Sequence, residues 1–225
     1  MQRTDQWKEV ALMGTESMFD GEAVVKFGRE TDRRNFMKWA GLVGVGATFV
    51  AGGGLGMTSA GAATPSSTGD LGILNYALTL EYLEADFYGQ GLKANLLHGR
   101  ELELVTPIAA HEAAHVAAIT AAIKGAGGTP VAKPKITYPT GTFGSRAKFL
   151  ATASQFEELG VTAYHGQVPL IKSVDVLGAA ASIAGVESRH AAILADLNGG
   201  QPFPAPIEKH ATKATVIKAV TPFLK

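Results

Sequence analysis

The sequence predicts an all-α protein: a four-helix bundle with a long crossover between helices 2 and 3 and a short C-terminal helix. Three observations carry this expectation. Four segments between residues 70 and 198 repeat apolar side chains every three or four positions, the period of an α-helix. The same region contains no convincing strand alternation. Between the second and third segments lies an aperiodic stretch, residues 125–144, rich in Gly and holding three Pro.

Helix 1 is expected from Asp70, a residue type suited to an N-cap, with a stripe of Leu74, Ala77/Leu78, Glu81, Ala85, Tyr88 and Leu92. A short polar loop, residues 93–100, leads to helix 2. This runs from about Glu101 to Lys124 on the stripe Ile108, Glu112, His115, Ile119 and Ala122, with Pro107 marking a kink or the true start. Helix 3 spans about Ser145 to Gly166 on Leu150, Ala153, Glu157, Val161 and Tyr164, with Pro169 helping to end it. Helix 4 runs from about Val174 to Asn198 on Leu177, Ala180, Ala184, Glu187, Ala191 and Leu194, and Gly199-Gly200 stops it. A Pro-rich turn then leads to a terminal helix near Ile207–Val220. A helix of 22 residues is about 33 Å long. The intervening loop, at about 3.3 Å per extended residue, can return along the whole bundle. Helices 1–2 and 3–4 are therefore antiparallel hairpins joined by a crossover.

The two halves repeat each other. Glu112-Ala-Ala-His115 matches Glu187-Ser-Arg-His190, each placing a carboxylate and an imidazole on one helix face. Upstream, Glu81 with Tyr88 matches Glu157 with Tyr164, at an offset of 76 residues against 75 for the Glu-x-x-His pair. The four Glu sit on apolar stripes, where a lone ionised carboxylate is very costly unless paired or bound to metal. Four carboxylates with two neutral imidazoles carry a formal charge of −4, which two divalent cations balance. One Glu from each of two helices and a Glu-x-x-His from each of the other two is the donor set of di-metal carboxylate bundles. Glu84 shares the face of Glu81 and is a second candidate on helix 1, whereas Glu158 lies off the stripe and reads as solvated. Tyr88 and Tyr164 either hydrogen-bond the ligands or pack as ordinary core tyrosines. His98, His165 and His210 have no phased partner and read as structural or exposed.

Residues 71–197 resemble the ferritin-like superfamily, and most of all its desiccation-associated, often exported branch. The matching text is Leu80-Glu81-Tyr82-Leu83-Glu84-Ala85-Asp86-Phe87-Tyr88, His111-Glu112-Ala113-Ala114-His115, the run from Glu157 to Gly166, and Glu187-Ser188-Arg189-His190. The resemblance implies that Glu81 and Glu157 each bind one metal terminally. Glu112 and Glu187 would bridge both, and His115 and His190 would each complete one ion. It implies a pair of iron or manganese ions, with zinc as the alternative, and redox chemistry: oxidation of ferrous iron or reduction of peroxide or oxygen, with a small oxidant as partner. A non-catalytic metal-storing or metal-free protein of the envelope is the alternative within the same fold. His111-Glu112-x-x-His115 also spells the zinc-protease motif, with both His as ligands and Glu112 as general base. That reading leaves Glu81, Glu157, Glu187 and His190 unused, and the second half has Val186 in place of His111.

Residues 1–62 read as an address. Arg33-Arg34, a spacer, Phe36, Met37 and Lys38 resemble the twin-arginine export motif. An uncharged stretch from Trp39 to Met57 follows, with seven Gly, and then Ala60-Gly61-Ala62 as a cleavage site. The expected organisation is a leader over 1–62, a linker over 63–69, the bundle over 70–198 and a tail over 199–225. The chain would be carried by the twin-arginine translocase to the periplasm or cell envelope, or be held there by an uncleaved segment. Zero net charge removes the electrostatic case for nucleic acid. The absence of cysteine excludes disulfides, thiolate metal sites and Cys nucleophiles. A homo-oligomer is left open.

Overall fold

The computed structural model describes residues 68–225, so the expected leader and most of the expected linker lie outside the described residues. Five α-helices follow in order: α1 Gly69–Lys93, α2 Gly99–Gly125, α3 Arg146–Gln167, α4 Val174–Leu197 and α5 Lys213–Val220. No strand is present among the described residues, only one isolated antiparallel bridge between Ile136 and Leu224. α1 packs along α2 and α3 along α4. α1 also meets α3, α2 meets α4, and α5 packs on α3. The two hairpins and the 126–145 crossover are thus those expected from the sequence. No helix among the described residues is long and apolar enough to cross a membrane.

The helix ends show how local sequence sets these bounds. Ser145 and Ser173 cap α3 and α4, their hydroxyls accepting from the backbone N–H of Lys148 and Val176. α2 and α4 close with the same device. Gly127 and Gly199 adopt positive φ, and the following glycine's N–H reaches back five residues, Gly128 to Ile123 O and Gly200 to Ala195 O, both at 2.8 Å. This Gly-Gly stop therefore belongs to both halves. Asp70 is not the N-cap of α1, a position held by Thr68. Its carboxylate instead accepts from the backbone N–H of Lys172 (3.0 Å) and Ser173 (2.7 Å), tying the start of α1 to the α3–α4 turn. Pro107 lies inside α2, which begins at Gly99. The terminal helix is shorter than expected, beginning at Lys213.

The crossover runs along α1. Val131 N–H donates to Asn75 Oδ1 at 2.6 Å, Lys133 pairs with Asp86 at 2.6 Å, and the Tyr138 hydroxyl donates to Leu83 O. Its later part is tied to the C-terminus through Thr137 N–H to Phe223 O and Lys225 N–H to Lys135 O. α1 is accordingly buried beyond its expected stripe: Leu80, Leu83 and Phe87 form a second apolar face. Phe87 is the centre of an aromatic cluster, with ring centroids of Phe149 and Phe156 at 5.0 Å and of Tyr88 and Phe143 at 5.4 Å. A second core cluster joins Leu74, Leu78, Ile119, Ile123, Tyr164 and Ile183.

Candidate metal centre

Each of the four long helices delivers side chains to one buried cluster. α1 supplies Glu81, α2 Glu112 and His115, α3 Glu157, and α4 Glu187 and His190. The four Glu are fully buried, and His115 and His190 are 1% and 4% exposed. Two groups of atoms able to ligate a metal form, each within 4.8 Å of one another: Glu81, Glu112, His115 and Glu187, and Glu112, Glu157, Glu187 and His190. Glu112 and Glu187 belong to both. The bonding atoms explain the sharing. His115 Nδ1 faces Glu81 Oε2 (3.2 Å), Glu112 Oε2 (3.3 Å) and Glu187 Oε1 (3.1 Å). His190 Nδ1 faces Glu112 Oε1 (3.0 Å) and Glu157 Oε2 (3.3 Å). The two oxygens of Glu112 thus turn to opposite imidazoles.

These donors fit cations better than they fit one another. Glu81 Oε2, Glu112 Oε1, Glu157 Oε2, both Glu187 oxygens and His190 Nδ1 are buried without a well-aligned hydrogen bond, although the imidazole nitrogens face several of them at 3.0–3.3 Å. A native fold seldom leaves six such atoms in one place unless an ion completes them. Oxygen and imidazole nitrogen suit iron, manganese or zinc. Without an ion the charges are held apart by protons. Burial pushes Glu112 up, the close imidazoles of His115 and His190 oppose it, and its carboxyl settles at about 7. Burial, then the charges of Glu112 and Glu157, hold Glu187 well above the usual carboxylate range. For Glu81 burial is outweighed by the His115 charge and hydrogen bonds, leaving it low. Burial alone would lower both imidazoles. The carboxylates prevail, Glu81 foremost for His115, while the close carboxylates of Glu112 and Glu157 bring His190 to about 9.

The two tyrosines cross the bundle. Tyr88 on α1 donates to Glu157 Oε1 on α3 at 2.5 Å, and Tyr164 on α3 donates to Glu81 Oε1 on α1. Of the two sequence readings, both hold in part: each hydroxyl bonds one of the candidate carboxylates, and both rings are also core residues. Burial, then the facing carboxylate, keeps each phenol far above its ordinary value, so each remains a donor. Glu84 is buried beside the cluster but joins neither group of ligating atoms. Burial, then Glu187, hold its carboxyl well above the usual range. Gly160 occupies the place of Glu84 in the second half, at the same 76-residue offset. A Cβ there would stand 3.0 Å from Glu187 Oε2 and 3.2 Å from Glu84 Oε1. Gly160 therefore leaves the room in which Glu84 approaches Glu187. A cavity of about 10 Å³ lined by Leu80, Leu83, Glu84, Phe156, Leu159, Gly160 and Val220 adjoins them, space for about one water.

His111 meets His190 rather than the donor cluster. It is exposed on α2, and its Nδ1 lies 2.9 Å from Nε2 of His190. Burial, then the charges of His190 and His115, lower its pKa. It enters neither group of donor atoms, so among the described residues no three-donor group of the zinc-protease kind joins His111 to His115. Reading His111 only as half of that motif missed its contact with α4. The signal was in the sequence, since a helix residue one turn before His115 shares its face. Glu158, His98 and His210 are exposed, and His165 bonds the carbonyl of Val161 in its own helix.

No curated protein matches the chain. A family model described as the ferritin-like domain matches residues 69–200, more than half of the 225. The matched span runs from the first residue of α1 to the glycine stop of α4 and encloses all six converging side chains. With four long helices in two hairpins, a crossover and a carboxylate–histidine cluster at the centre, the chain belongs to the ferritin-like domain family.

Proposed function

We propose that this chain is an exported di-metal protein of the ferritin-like family. Glu81, Glu112, His115 and Glu187 would hold one iron or manganese ion, and Glu112, Glu157, Glu187 and His190 the other. The observation that carries this reading is the sharing of Glu112 and Glu187 between the two groups of buried donors. A bound pair of redox-active ions would supply electron transfer to oxygen or peroxide. The protein's own part is to orient the ions and keep the site dry. Tyr88 and Tyr164 fix the outer carboxylates Glu157 and Glu81, and the apolar clusters around them exclude bulk water. Export and a role in oxidative or desiccation stress are supported by the twin-arginine-like text and the branch that the sequence resembles. The alternative is storage of metal, or a metal-free scaffold, in the same compartment.

Metal analysis after folding with ferrous iron or manganese tests the centre. The expected result is about two ions per chain, and Glu112→Ala, which removes a ligand from both positions, should lose both. Unchanged metal content in Glu112→Ala removes the site assignment. Two ions without ferrous-oxidase or peroxidase activity would leave storage as the function.

A further inference from the structure

The scaffold is doubled, but the surroundings of the two imidazoles are not. His190 turns Nδ1 into the cluster and Nε2 outward, 2.9 Å from Nδ1 of His111. The two rings lie nearly parallel, 11° apart, with centroids at 5.2 Å. His111 precedes His115 by four residues on α2, and the residue that precedes His190 by four on α4 is Val186. Exchanging the two halves puts Val186 where an acceptor for His115 would stand, and a valine side chain has none.

Resting on the di-metal reading, we propose that His111 is a positioning residue that orients His190 and makes the two metal positions unequal, the one completed by His190 being the tighter. An imidazole that gives Nδ1 to a cation is neutral and keeps its remaining proton on Nε2. That proton needs an acceptor, and Nδ1 of His111 is within hydrogen-bond distance. His111 then carries its own proton on Nε2. The hydrogen bond fixes the tautomer and the ring plane of His190 and strengthens its basicity. His115, also turned inward through Nδ1, gains no such partner from Val186. Outer partners of metal-bound histidines typically contribute 10- to 100-fold in affinity.

The test is a titration of the metal-stripped full-length protein with cobalt(II), followed by absorption and calorimetry, with His190→Ala marking the step that belongs to its position. Wild type should bind in two resolved steps. His111→Val should weaken the His190 step by about 10- to 100-fold and leave the other unmoved. His111→Asn, whose Oδ1 can take the place of Nδ1 as acceptor, should restore it. Nitrogen NMR of the zinc-loaded protein supplies a second measurement: the Nε2 proton of His190 should exchange slowly in wild type and rapidly in His111→Val. Equal steps in wild type, unchanged steps in His111→Val, equal loss of both steps, or failure of Asn to restore would each overturn the proposal. A wild type that binds no ion overturns the di-metal reading itself and this inference with it.

Discussion

Each tyrosine hydroxyl beside the centre donates to a carboxylate on the opposite hairpin, so Tyr88 and Tyr164 tie α1 to α3 twice. A hydrogen bond to a charged group contributes about 1.5–3 kcal/mol, and its loss leaves a buried oxygen without a partner. Tyr88→Phe and Tyr164→Phe are each expected to lower stability by about that amount in the metal-free protein, measured by urea denaturation. An unchanged midpoint in both would show that the hydroxyls contribute nothing. The six converging residues were legible because a costly residue type recurs on an apolar face at a fixed offset. The tyrosine bonds were only half legible, since periodicity shows which face a ring occupies but not which carboxylate across the bundle it meets. Gly160 was not legible as part of the site, because its contribution is the absence of a side chain beside Glu187 and Glu84.

The docking of α5 rests on a close backbone approach. Ala211 N–H donates to Thr162 O at 2.9 Å, and a Cβ on Gly166 would stand 1.9 Å from Ala211 O. Val216 and Val220 are buried beyond this point. Gly166→Ala therefore forces the 211–225 segment away from α3. Hydrogen exchange should report lost protection in α5 and at the Thr137 and Lys225 amides, with α1 to α4 retaining theirs. Retained protection in α5 would show that the segment docks independently of Gly166. The sequence placed the four long helices because each has a long apolar stripe and a marked stop. It extended α5 too far, to Ile207, because an apolar residue among prolines suggested a start. Thr212 provides the actual cap, its hydroxyl accepting from Thr215 N–H. Asp70 was assigned to a cap by residue type alone, whereas its partners lie about a hundred residues away in the α3–α4 turn. Such long-range partners leave no periodic trace.

At the scale of the whole molecule, the di-metal reading predicts that stability responds differently to pH with and without added metal. In the metal-free fold Glu112 titrates at about 7, against 4.5 for an ordinary glutamate. The folded state therefore binds more protons than the unfolded state between those values, and stability falls as pH rises through them. His190 at about 9, against 6.5, has the same sign over a higher window: its contribution is complete below 6.5 and is lost as pH rises through 9. Glu187 and Glu84, also raised, add to the decline. Two groups act the other way: Glu81, whose carboxyl is lowered, below 4.5, and His111, whose imidazole is lowered, below 6.5. The melting temperature of the chelator-treated protein is thus expected to fall from about pH 6.5 to pH 9, with a shallower decline below 6.5 where His111 opposes Glu112. Metal binding needs those same carboxyls and imidazoles deprotonated, so it competes with protons and strengthens as pH rises. With iron(II) or manganese(II) in excess, the decline should flatten or reverse between pH 5 and 8, as followed by thermal melts in parallel with and without metal under anaerobic conditions. Parallel curves that fall alike would show that the cluster holds protons rather than ions.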